Sequence, residues 1–250
     1  LANAIYFKSE WVEPFKKENT QKEDFTRANG EKMKVPLMKK RMEQARYGAF
    51  TADGSIFNTP AWISQDDKTA LYPGKNGFSI IELPYRGGKL AMVMLAPNSP
   101  DGMAGIEKQL DAKNLDRWIG LLKGREVYVR MPKFKLETEY KMNETLGAMG
   151  MVSAFKNPNL TGGANFKGMT DSQNPIEQLY IALVQHKAFV AVDEEGTEAA
   201  AATAVAMARA TSIRTTVPFT PEFRADRPFL FLIRDVKTGC ILFTGRMMKP

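Results

Sequence analysis

Hydrophobic and polar positions along the chain predict mostly strands, with few helical stretches. Residues 1–11 (LANAIYFKSEW), followed by Val12-Glu13-Pro14-Phe15, read as a mostly buried strand that ends at a proline turn. Residues 16–50 are charged and interrupted, and Asn29-Gly30 marks a hairpin turn. Residues 51–77 are rich in turn formers (Asp53-Gly54, Pro73-Gly74, Asn76-Gly77) and are expected as an exposed insertion. Two apolar runs, 78–85 and 90–95, flank Arg86-Gly87-Gly88; no helix opens directly after these glycines, so they predict a hairpin and not a phosphate loop. Between 105 and 123, Ile106, Leu110, Leu115, Trp118, Ile119 and Leu122 recur at helical spacing and predict two short helices facing a core. Residues 126–137 alternate as one long strand, and 179–192 form another strand-like run that buries His186.

The second run leads into Asp193-Glu194-Glu195-Gly196-Thr197-Glu198 and then into 199–209, where almost every side chain is small. As a helix this stretch suits alanine's propensity. As a strand it places Thr197, Ala199, Ala201, Thr203, Val205 and Met207 on one face. A segment that fits both conformations is a candidate moving part.

The composition, 44% hydrophobic over 250 residues with no apolar run of about 18 residues, describes a globular chain and neither a membrane-spanning nor a disordered one. The net charge of +7 permits attraction to polyanions, with a local cluster at Lys32, Lys34, Lys39, Lys40 and Arg41 that reads first as a solvated face. One cysteine, Cys240, excludes an internal disulfide, and its apolar setting predicts a buried structural thiol. The one histidine, His186, falls in a predicted buried strand, which argues against a serine–histidine triad, and with one cysteine it makes a poor zinc site. No catalytic residue, metal or cofactor is therefore assigned. Asn143-Glu144-Thr145 and Asn159-Leu160-Thr161 fit the glycosylation pattern, which arises easily by chance.

The run HKAFVAVDEEGTEAAAATA, followed by FRADRPFLFLIRD and TGCILFTGRMMKP, closely resembles the serpin family in both order and spacing. Weaker likenesses at 33–38, 140–155 and 165–169 extend it over nearly all of the chain outside 51–77. The resemblance implies a mixed α+β fold with a large central β-sheet, smaller sheets and surrounding helices. It implies one domain over residues 1–250, the amino-terminal helical part of the family fold lying outside this sequence, with a reactive-centre loop at 194–220. Residues 1–11 would be the strand beside the slot that the loop enters.

Carried over residue by residue, the hinge is Glu194, Glu195, Gly196, Thr197, Glu198, Ala199, Ala200, Ala201, Ala202 and Thr203. Asn3 and His186 fall at the central shutter, hydrogen-bonded near one another, and Trp11, Lys133 and Glu194 at the breach. The family's hinge spacing places the reactive bond at Ala210-Thr211; one residue earlier gives Arg209-Ala210, which suits a trypsin-like protease, and Arg214 stays open as a further choice. The function implied is suicide inhibition of a serine protease, with a polyanion as a second partner and neither nucleic acid nor membrane. A secreted or extracellular location follows from the family likeness, and a cytoplasmic one from the lack of a readable signal peptide. Other readings are a non-inhibitory serpin-like carrier or chaperone, an inactive fragment, a hydrolase and a polyanion-binding module.

Overall fold

A computed structural model describes residues 1–64, 72–169, 174, 178–195 and 216–250. They form two compact units, residues 1–8 with 135–191 and residues 9–134 with 192–250. In chain order the strands are β1 (Ala2–Phe7), β2 (Gln21–Thr26), β3 (Lys32–Met42), β4 (Arg46–Phe50), β5 (Ile56–Phe57), β6 (Trp62–Ser64), β7 (Phe78–Pro84), β8 (Leu90–Pro97), β9 (Lys123–Gly124), β10 (Val127–Pro132), β11 (Phe134–Lys141), β12 (Gln185–Val192), β13 (Thr216–Pro218), β14 (Glu222–Arg224), β15 (Phe229–Asp235) and β16 (Ile241–Met247). The α-helices are α1 (Met103–Glu107), α2 (Ala112–Leu121) and α3 (Asn143–Ala148). Among the described residues no helix is long and apolar enough to cross a membrane.

The larger unit is built on a sheet ordered β16-β15-β8-β7-β4-β5, with β9 paired to β4. Its central strands β7 and β8 are continuous apolar runs because both faces are covered, which is why they show no alternation. On one face α2 packs Leu115, Trp118 and Ile119 against Phe50, Phe78 and Val93. Asp111 caps this helix by accepting the Asn114 N–H at 2.7 Å. At its other end Arg46 donates to the Ile119 carbonyl at 2.9 Å and pairs at 2.6 Å with buried Glu82 of β7. The indole N–H of Trp118 donates to the Gly54 carbonyl at 3.1 Å, and Gly54 turns at φ 76°, so the Asp53-Gly54 turn is packed onto the core. Residues 51–77 are thus more than an exposed insertion: β5 pairs with β4 and β6 with β13, while 65–71 lie outside the described residues.

The same unit carries a sheet ordered β14-β10-β3-β2, in which Asn29-Gly30 makes the expected β2–β3 hairpin with Gly30 at φ 84°. The predicted strand 126–137 is in fact two strands in two sheets. Pro132 has no N–H to continue a ladder, and the chain leaves β10 there; the Lys133 N–H donates to the Pro36 carbonyl at 2.9 Å before β11 begins.

The smaller unit centres on a sheet ordered β1-β12-β11. β1 and β12 pair in parallel from Ala2↔Gln185 to Phe7↔Val190. The first strand is expected to be mostly buried, yet Ala2–Tyr6 are exposed, and Tyr6, though its ring stacks on Phe189 at 5.1 Å between centroids, is 62% accessible. The expected strand at 179–192 begins only at Gln185: the preceding residues are held by loop contacts, with the Ile181 N–H on the Ala154 carbonyl and the Val184 N–H on Asn143 Oδ1. Cys240 is exposed and not a buried thiol, since the turn after Asp235, with Gly239 at φ 75°, lifts it out of the sheet before β16 starts.

Gly245 of β16 lies opposite Phe231 of β15, and a Cβ there would sit 2.5 Å from the ring. Phe231 has little room to move, being 2% exposed and packed on Phe134 at 5.4 Å between centroids. Gly245→Val is expected to cost about 1–3 kcal/mol of stability, read as a lowered urea midpoint.

Candidate functional site

The acidic turn after β12 is anchored within the larger unit by a short segment around Trp11. The Trp11 indole N–H donates to the Asp193 carbonyl at 3.0 Å, the Trp11 backbone N–H to the Glu195 carbonyl at 3.1 Å, and the Phe15 N–H to the Glu194 carbonyl at 2.7 Å. Asp193 Oδ1 accepts the Glu195 N–H at 3.0 Å and sets the bend itself.

Trp11 is 2% exposed and stacked on Tyr85 at 4.5 Å with 12° between the rings. Its own backbone is tied to the end of the β7–β8 hairpin, where the Val12 N–H donates to the Pro84 carbonyl at 3.0 Å and the Arg86 N–H to the Glu10 carbonyl at 2.6 Å. The clamp therefore rests on the most deeply buried hairpin of the unit.

Glu194 is buried, and Lys133 Nζ meets its carboxylate at 2.9 Å. Burial alone would raise that carboxyl; the hydrogen bond from Lys133 and one from the backbone outweigh it and hold the group below the usual glutamate range. Glu195 pairs with exposed Lys17 at 2.8 Å, a contact open to screening by salt. The structure thus places Trp11, Lys133 and Glu194 together.

Asn3 and His186 face each other as register partners in the smaller unit. They differ from a buried bonded pair: Asn3 is exposed, His186 is half-buried, and among the described residues no hydrogen bond joins the two side chains. The outer surface of β1 is open at this point, so water can satisfy the asparagine. Gly196, Thr197, Glu198, Ala199, Ala200, Ala201, Ala202 and Thr203, the candidate bonds at Arg209, Ala210 and Thr211, and Arg214 lie outside the described residues.

Sequence reasoning missed Tyr85, Phe15, Lys17 and the carbonyls of 193–195. The only cue was the acidic turn's need for donors and cations, and among 35 lysines and arginines nothing singled out Lys17. The basic cluster is matched residue by residue: Lys34 to Asp24 at 2.9 Å, Lys32 to the same carboxylate at 3.9 Å, Lys40 to Glu13 at 3.7 Å, Arg41 to Glu126 at 3.3 Å, and Lys39 to Glu23.

A family model described as Serpin (serine protease inhibitor) matches residues 1–250, and the chain belongs to that family. It is 38% identical over 252 residues to Serpin B4 of Homo sapiens, covering 100% of this chain and 55% of the relative. Uncleaved ovalbumin superposes with a TM-score of 0.73 at 27% identity, covering 100% of this chain and 54% of its own. Native protease nexin-1 with heparin gives a TM-score of 0.72 at 29% identity, with coverage of 100% and 56%. The chain spans about half the length of these relatives.

Lys133→Met leaves the Glu194 carboxylate buried without its cation and is expected to cost about 1–3 kcal/mol at pH 7, below a fully buried pair because the Lys133 side chain is 45% exposed. A lowered carboxyl adds stability above its unfolded-state pKa and loses it as pH falls through the folded value. The difference in melting temperature between wild type and Lys133→Met should therefore shrink below about pH 4, which thermal scans from pH 7 to 3 would measure.

Proposed function

We propose that this chain carries the working parts of a suicide inhibitor of serine proteases. The observation that carries the reading is the parallel pairing of β1 with β12, the strand that runs on into the small-residue segment. A segment folding back after β12 is antiparallel to β12 and, because β1 is parallel to β12, antiparallel to β1 as well. Insertion exchanges one parallel ladder for two antiparallel ones, the more stable arrangement per residue. The present ladder has six residue pairs, so the exchange adds roughly half a dozen hydrogen bonds, worth ~3–9 kcal/mol net.

Small side chains let the hinge enter between packed strands without opening space or burying charge. The clamp on 193–195 supports the other half of the reading, a loop held out until it is cut. A protease serine Oγ adds to the Ala210 carbonyl, the Ala210–Thr211 amide breaks, and Thr211 leaves as a free amine. The ester on Ala210 then travels with the inserting hinge, and deacylation slows as the protease is distorted. With the bond at Arg209-Ala210 the ester forms on Arg209, and the arginine pairs with the acidic specificity pocket of a trypsin-like protease. A polyanion partner is a reading supported by the relative solved with heparin, and salt-dependent retention on a heparin matrix tests it.

Incubation with trypsin should give a covalent band that survives SDS, together with a released carboxy-terminal peptide whose mass identifies the bond. Thr197→Arg is expected to keep the peptide release while the stable band falls at least tenfold, because insertion would bury an unpaired charge. Cleavage with no stable band in the unaltered chain, or an undiminished band in the variant, would sink the reading.

A further inference from the structure

Within the larger unit, a cavity of about 410 Å³ opens where the ends of β7 and β8 approach β14. It is unconnected with the clamp around Trp11 and lies in the size range of sites for small organic ligands. Ala96 and Pro97 of β8 give it an apolar wall, and Lys75, Arg224 and Arg227 line it with positive charge.

The two arginines are fixed by one carboxylate. Arg224 donates to Asp226 Oδ2 through Nε at 3.0 Å and Nη2 at 2.6 Å, and Arg227 Nε donates to Asp226 Oδ1 at 2.8 Å. Arg227 Nη1 also donates to the Asn98 carbonyl, which leaves Arg224 Nη1 and Arg227 Nη2 with no protein acceptor among the described residues. Asp226 is 8% exposed; burial opposes its ionisation, and the two guanidinium groups outweigh that and keep its carboxyl low. A single negative charge is therefore shared between two forks whose orientation is set in advance.

The other charged neighbours do not cancel the excess. Glu222, which lines the cavity, is met by Arg130 Nε at 2.5 Å. Lys75 helps to lower the Asp101 carboxyl, and no ion pair joins Lys75 to a described residue. At the cavity itself Lys75, Arg224 and Arg227 thus stand against Glu222 and, behind the two arginines, Asp226. The mouth is braced by the Asn98 side chain on the Gly74 carbonyl at 2.6 Å and the Asn98 N–H on the Gly77 carbonyl at 2.9 Å, so the walls are held before anything binds.

We propose that this cavity is a binding site for a small organic anion, a carboxylate or sulfonate on a compact apolar body, its charge taken by Arg224, Arg227 and Lys75 and its body laid against Ala96 and Pro97. The volume and the apolar wall argue for an organic body over an inorganic ion; the unpaired guanidinium N–H groups argue for an anion over a neutral ligand.

Calorimetric titration with 2-naphthoate, 2-naphthamide and inorganic phosphate tests this. One saturable naphthoate site is expected, with the amide bound at least tenfold more weakly and millimolar phosphate failing to displace the naphthoate. Arg224→Gln should weaken naphthoate at least tenfold and Lys75→Gln at least threefold, with melting temperatures confirming that both variants fold; Lys75 is the control that leaves the Asp226 pairing intact. Absence of naphthoate binding at millimolar concentration, equal affinity for acid and amide, displacement by phosphate, or indifference to both substitutions would each overturn the assignment.

Discussion

Three successive carbonyls, of Asp193, Glu194 and Glu195, take their donors from one indole and two backbone N–H groups of the Trp11–Phe15 segment. Buried carbonyls must be paired, and no sheet ladder extends to these. The constraint is mutual. The donors are in position because Trp11 is stacked on Tyr85 and its neighbours are bonded to the β7–β8 hairpin, so the chain entering the small-residue segment is fixed from the core outward. Releasing it would cost a few kcal/mol, about 0.5–1.5 for each bond broken.

Three buried carboxylates of the larger unit are each neutralised, but not alike. Glu82 is met by Arg46 and lies 3.7 Å from Arg234, and Asp226 by Arg224 and Arg227. These guanidinium forks also bond elsewhere, Arg46 to the end of α2 and Arg227 to the Asn98 carbonyl, which makes the pairs structural. Glu194 has a single half-exposed lysine, a point charge on a flexible stem. Glu194 is thus the one among these three held by a single flexible cation.

Much of the fold was legible where local chemistry decides. Asn29-Gly30 fixed its hairpin through positive φ, the helical spacing of Leu115, Trp118 and Ile119 its helix, and β7 and β8 their place through unbroken apolarity. What failed depended on partners distant in sequence. Residues 126–137 alternate smoothly through Pro132, and nothing local shows that the strand changes sheets there. The apolar residues of β1 looked buried because apolarity does not reveal whether a covering layer is present. Cys240 looked buried from its neighbours, yet the preceding turn places it outside. Lys133 and Glu194 were paired only through the family likeness, since charge alone left many other lysines eligible. Tyr85 had no sequence signal at all, as its role comes from a ring stacked on a residue 74 positions earlier.

The three tryptophans occupy three different surroundings. Trp118 is fully enclosed by the main core, Trp62 is about half exposed, and Trp11 touches both a tyrosine ring and the carbonyl of Asp193. Departure of the acidic turn would strip the indole of its acceptor while leaving Trp118 undisturbed. The protein therefore carries its own optical gauge, in which a change in Trp11 emission separates the unlatching of one segment from the melting of the whole.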